Sequence, residues 1–159
     1  PHLTALINDM QAAGLSPQII SGYRSYEQQA IAWAKWNEQY PDRAQLLSAR
    51  PGHSEHQLGT TIDFGSPHLG EIVGDEDIQF HTYFYMTPEG IWLEENAHHY
   101  GFTLSYPRDA FSITTFYYEP WHFRYVGQEL ATQLKEAGIT LTQYQLETYP
   151  IPCIIDDAR

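Results

Sequence analysis

The chain has 159 residues with 20 Asp and Glu against 8 Lys and Arg, giving a formal net charge of -12 at pH 7. That length fits one domain, 42% apolar and 14% aromatic residues exclude a disordered chain, and a charge of -12 would repel a phosphate backbone, which excludes nucleic acid as a partner. Cys153 is the single cysteine, so an intrachain disulfide, a thiolate zinc cluster and a redox CxxC motif are all excluded; it is expected to pack as an inert thiol. No run approaches the ~20 apolar residues of a membrane span, and no signal peptide opens the chain. The chain starts on Pro1, as a processed or trimmed product would.

In chain order, Leu3, Leu6, Ile7 and Met10 lie at helical spacing, with Gly14 suited to end the helix. "QIISGY" predicts a strand. Ser25 stands three before Gln28, a capping-box pattern for a helix through Tyr40 that Pro41 stops, and this leaves Arg24 at a strand-to-helix junction, where side chains commonly face a cleft. "TTIDF" predicts a strand with Asp63 on it and His56 in the turn before.

Residues 66–86 read as a solvated insertion or a lid. Their acidic cluster "GDEDIQ" lacks the oxygen ligands at fixed offsets and the final Glu of a calcium loop. Thr87 and Pro88 form an N-cap and N1 pair for a helix that Gly101 ends. "FTLSYP" and the aromatic run from Ile113 to Val126 predict strands, the second interrupted by Pro120 at a bulge or edge. "QELATQLKEAG" predicts an amphipathic helix and "ITLTQYQLE" a terminal strand. The loose alternation, with hairpin-like strand pairs in the second half, predicts an α+β fold; repeats and low-complexity tracts are absent from the sequence.

Two stretches carry chemistry. "SEHQLGTTID" sets His56 and Asp63 seven positions apart around a glycine, and "EPWHFRYVG" sets Glu119 three before His122. A hydrolytic zinc takes three protein ligands and keeps a fourth position for water; His56, Asp63 and His122 would make such a set, with Glu119 as the base beside that water. Each stretch alone reads more readily as a packed histidine or an ordinary turn than as a metal site. HExxH is absent, so this would be a different scaffold with the same division of labour.

Taken with "SGYRSYEQQ", "PGHSEHQLGTTIDF" and "WLEENAHHYGFTLSYP", these stretches resemble, in order and over most of the chain, the VanY-type D-alanyl-D-alanine carboxypeptidases of the LAS zinc peptidases. The resemblance implies a single catalytic domain over residues 1–159, with a small central antiparallel sheet flanked by helices. It implies one zinc per chain, bound by His56, Asp63 and His122, with Glu119 activating the water. Arg24 would stabilise the oxyanion or anchor the substrate, Gln29 and Ser54 would bind substrate, and Trp121 would wall the pocket. Thr61 departs from the Ala of many members, a small change in packing, while His53, His98 and His99 match no ligand position and are expected at the surface or in caps. Tyr23, Tyr117 and Tyr118 are candidates for the groove, core or wall packing being the alternative.

The implied partner is a peptidoglycan stem peptide ending in D-alanine, met by a monomer in the periplasm or at the cell surface. The implied reaction is D,D-carboxypeptidase hydrolysis. Relatives that act as L,D-carboxypeptidases, D,D-dipeptidases or L-Ala-D-Glu endopeptidases are alternatives, with residues 66–86 as the place where they would differ. A non-catalytic zinc module for wall peptide is another, although both Glu119 and Arg24 are present. A serine peptidase has no SxxK motif to rest on.

Overall fold

The computed structural model describes residues 1–149, so the expectation for Cys153 lies outside the described residues. The elements are α1 (His2–Ala12), β1 (Gln18–Ser21), α2 (Tyr26–Gln39), α3 (Ala44–Leu47), β2 (Thr61–Gly65), α4 (Leu69–Val73), α5 (Pro88–Asn96), β3 (Phe102–Leu104), α6 (Phe111–Thr114), β4 (His122–Tyr125), α7 (Gln128–Ala137) and α8 (Leu141–Thr148). The four strands form one antiparallel sheet in the order β1-β2-β4-β3. The fold is α+β, as the sequence predicts.

Register decides what each face of the sheet carries. Asp63 pairs directly with His122, and Thr61 with Arg124, so these four side chains share one face; Ile62 and Phe123 pair on the other. That second face is the core, where Phe64, Phe102 and Phe123 pack against Leu6 and Met10 of α1 and Leu93 and Ala97 of the α5 region. Residues at alternate positions of β2 and β4 thus build the hydrophobic centre while their neighbours assemble a polar site.

Local signals place the flanking helices. α1 ends in a Schellman turn, with Gly14 at φ +81 and the amides of Gly14 and Leu15 donating to the carbonyls of Gln11 and Met10. The capping box of α2 is present in both directions: the Gln28 amide donates to Ser25 Oγ at 3.2 Å and the Ser25 amide to Gln28 Oε1 at 2.8 Å. Thr87 caps α5, its Oγ1 accepting from the Gly90 amide at 3.0 Å. Glu89, fully buried in the first turn of α5, accepts from the Ser16 amide and from Ser66 Oγ and so ties α5 to the segments entering β1 and leaving β2.

Three expectations are corrected. "ITLTQYQLE" is helical, not a strand: Thr140 Oγ1 accepts from the Gln143 amide and caps α8. The long strand from Ile113 to Val126 contracts to the four residues of β4, because the segment before it holds α6, Thr115 at φ 61 and a turn at Pro120. Residues 66–86 are no solvated loop, since α4 and a 3₁₀ turn at Thr82–Met86 place Leu69 and Phe84 in the core.

Candidate active site and metal centre

The polar face of the sheet opens into a cleft of about 210 Å³, lined among others by Arg24, Ser54, His56, Asp63, Glu119 and His122. His56, in a 3₁₀ turn at Glu55–Leu58, comes within 3.1 Å of Asp63 through Nε2, and His122 within 3.0 Å of Asp63 through Nδ1. Their ligand atoms lie within 4.8 Å of one another and all three residues are buried. His56 Nε2 and Asp63 Oδ1 have no hydrogen-bond partner, a costly state for buried polar atoms that a cation between them would relieve. Two imidazoles and a carboxylate are a donor set that fits zinc.

Each histidine is oriented from behind. His56 Nδ1 lies 2.7 Å from the Gly22 carbonyl oxygen, which as an acceptor fixes the proton on Nδ1 and frees Nε2. The Arg24 amide donates in return to the His56 carbonyl at 3.2 Å, so the exit of β1 and the histidine turn clasp each other. On His122 the roles are reversed: Nε2 lies 3.0 Å from Glu55 Oε2, and Nδ1 faces Asp63.

The turn Glu119–His122, closed by donation of the His122 amide to the Glu119 carbonyl at 3.1 Å, brings Glu119 Oε2 within 3.5 Å of His122 Nδ1. Opposite, Arg24 Nη2 lies 3.7 Å from Asp63 Oδ2 and Nη1 donates to Gln29 Oε1 at 3.0 Å. Gln29 borders the cleft but is fully buried, Oε1 holding Arg24 and the amide nitrogen donating to the Ala49 carbonyl, so both its polar atoms are already engaged within the protein. Ser54 lines the cleft and its hydroxyl does not cap the turn that follows. Trp121 lines it as well, its ring centroid 5.4 Å from that of Phe80.

Burial and charge divide the carboxylates. Burial raises the pKa of Glu119 to about 7, with His122 and Arg24 opposing the rise and Asp63 adding to it. Burial would also raise Asp63, but the imidazoles of His122 and His56 outweigh it and hold that carboxyl well below the usual range. Burial likewise opposes charge on His122, yet Asp63 and Glu55 prevail and raise it to about 10. Burial lowers Arg24, and Asp63 and Glu119 counter it. One carboxylate thus stays ionised against the imidazoles while its neighbour is tuned to exchange a proton near neutrality.

Sequence reasoning missed four residues here. Glu55 touches His122, 67 positions away, and no spacing rule marks it. Tyr106 and Phe116 stack at 4.6 Å as one wall, and Phe80 closes another. Tyr23, Tyr117 and Tyr118 are not among the lining residues; Tyr23 and Tyr117 are exposed. His53 and His99 are exposed and His98 is half-buried, all away from the cleft.

A family profile described as VanY, D-alanyl-D-alanine carboxypeptidase, matches residues 1–128. A D-alanyl-D-alanine carboxypeptidase of Enterococcus faecium is 37% identical over 140 residues, covering 87% of this chain and 40% of the relative. The chain spans about half the length of the curated relatives it matches. Among solved structures, the LdcB LD-carboxypeptidase aligns at a TM-score of 0.78 and 33% identity over 90% of this chain and 64% of that one. VanYB in complex with D-alanine-D-alanine aligns at 0.75 and 31% identity over 94% and 80%. A VanY variant in complex with Zn(II) aligns at 0.75 and 32% over 91% and 79%. With the family profile matching most of its length and solved structures of the same fold more than 30% identical to it, this chain belongs to the VanY family of D-alanyl-D-alanine carboxypeptidases.

Proposed function

We propose that this chain is the catalytic domain of a zinc D,D-carboxypeptidase that removes the terminal D-alanine from peptidoglycan stem peptides ending in D-Ala-D-Ala. The observation that carries the reading is the convergence of buried His56, Asp63 and His122 beside Glu119 and Arg24 in one cleft. Zinc held by those three residues supplies Lewis-acid polarisation of the scissile carbonyl and acidifies the attacking water. Glu119 takes the proton of that water and delivers it to the departing D-alanine amine, a task suited to a carboxylate whose pKa burial has raised to about 7. A bound cation would draw that value down.

Arg24, held by Gln29, presents a fixed guanidinium where negative charge develops on the carbonyl oxygen or where the substrate carboxylate sits. Ser54 adds a hydroxyl at the same cleft, and Trp121 with Phe80 forms an apolar wall for small side chains. The substrate lies outside the cytoplasmic membrane, which puts the site of action at the cell surface or in the periplasm. Among the described residues no helix is long and apolar enough to cross a membrane.

The test is mass spectrometry of a muramyl pentapeptide incubated with the zinc-loaded protein and with Glu119→Ala. Loss of one alanine with the unsubstituted protein only is expected. Survival of the pentapeptide where a muramyl tetrapeptide offered in parallel is trimmed would overturn the D,D assignment in favour of L,D cleavage, and survival of both would leave the D,D-dipeptidase and binding-module alternatives.

A further inference from the structure

We propose that Glu55 is the positioning residue of the metal centre, holding His122 by Nε2–H so that the Nδ1 lone pair faces the cation; this rests on the zinc reading above. An imidazole offers two nitrogens on opposite edges of the ring, and a ligand histidine whose outer nitrogen has no partner can present either one. For His122 the choice is made by Glu55 Oε2, 3.0 Å from Nε2, which leaves Nδ1 3.0 Å from Asp63 Oδ1 and 3.5 Å from Glu119 Oε2.

Glu55 is itself fixed by two further side chains. Ser105, just beyond β3, donates its hydroxyl to Oε2 at 2.6 Å, and Arg124 of β4 donates through Nη1 to Oε1 at 2.7 Å. Its carboxylate therefore cannot swing away from His122 without breaking two charge-assisted hydrogen bonds. The two histidines are supported unequally: a neutral main-chain carbonyl stands behind His56 and a carboxylate behind His122. A carboxylate makes the ring that donates to it a stronger ligand, so His122 is the ligand whose strength Glu55 sets. Glu55 also lies beside His56 in the chain, so one turn supplies a ligand and the support for another ligand 67 positions away.

The experiment measures zinc affinity by competition with a chromophoric chelator for the unsubstituted chain, Glu55→Gln and Glu55→Ala, and records the visible spectrum of each cobalt(II)-substituted protein. Loss of an outer-shell partner typically weakens metal binding by about 10–100-fold, and that is the change expected for Glu55→Ala. Glu55→Gln keeps an acceptor for Nε2–H, so it should recover most of the affinity and the unsubstituted cobalt spectrum while remaining at least about threefold weaker. An affinity for Glu55→Ala within twofold of the unsubstituted protein, at unchanged circular dichroism, overturns the assignment. Should Glu55→Ala fail to fold, an affinity for Glu55→Gln within twofold overturns it equally. Absence of zinc binding by the unsubstituted chain would sink the zinc reading itself and this inference with it, whereas tight and equal binding by all three would sink this inference alone.

Discussion

β2 and β4 hold Asp63 and His122 as direct cross-strand partners, so their separation follows from backbone pairing, whereas two walls of the cleft come from connections, residues 66–86 and 105–121, with short helices and turns. In the first, Phe84 enters the core and Phe80 reaches Trp121; in the second, Tyr106 stacks on Phe116 and Glu119 closes a turn onto His122. The strands fix the separation of Asp63 and His122, and the 3₁₀ turn before β2 adds His56. The connections shape the cleft, and the second also supplies Glu119 beside His122. Backbone pairing thus fixes two of the three buried residues that could hold a metal, while turns and connections bring in the rest of the polar cluster and the aromatic walls.

The largest break in that division should come on the strands. Asp63→Ala removes the ligand shared by both imidazoles, and metal analysis after gel filtration should find no stoichiometric zinc; one retained zinc per chain would mean that the cation sits elsewhere. Glu119→Gln should keep zinc and lower kcat by about 10²–10⁴-fold, the range for a lost general base. In the unsubstituted protein the acidic limb of kcat/KM should then lie at or below pH 7, because burial sets Glu119 at about 7 and a cation can only lower it; a limb well above 7 would assign it to another group.

Breaking the connections should separate stability from metal binding. Phe84→Ala should cost about 3–5 kcal/mol in urea unfolding while the folded fraction keeps its zinc affinity. Phe80→Ala, at the mouth, should raise KM by roughly two- to tenfold, the equivalent of one lost aromatic contact of about 0.5–1.5 kcal/mol, with kcat and zinc unchanged.

A smaller effect concerns acid stability without metal. Burial disfavours charge on Glu55, but His122, Ser105 and Arg124 outweigh it and lower its pKa to about 2 from an ordinary 4.5. The stabilisation is therefore complete above pH 4.5 and is lost as pH falls toward 2. Melting of the zinc-free Glu55→Gln protein should fall less steeply across that interval than melting of the unsubstituted chain; parallel curves would count against the low pKa.

Much of the frame was legible in the sequence. Ser25 with Gln28 and Thr87 with Pro88 are local devices in which a side chain satisfies its own helix, so they read directly from spacing. The motif residues His56, Asp63, Glu119 and His122 were legible through the order of four stretches; the register brings Asp63 to His122, and two turns add His56 and Glu119. Tertiary pairings were not legible. Glu55 acts on a residue 67 positions away, and nothing in "SEHQLG" distinguishes it from a solvated acid.

Thr140 shows a different failure. The alternation of Ile139 and Leu141 reads as a strand, yet a hydroxyl at the cap favours a helix whose Leu141 is buried. In residues 66–86 the acidic cluster reads as solvated, yet it follows Leu69 and Val73, four apart on a short helix, with Leu69 turned into the core.

The clasp between the exit of β1 and the histidine turn also makes the Arg24 amide a gauge of the centre. It donates to the carbonyl of His56 while the His56 ring leans on the carbonyl of Gly22, so the turn cannot open without releasing both contacts. Ligand and guanidinium accordingly belong to one cooperative unit. Deuterium uptake at that single amide should slow when zinc is added, reporting the tightening of Arg24 without any substrate present.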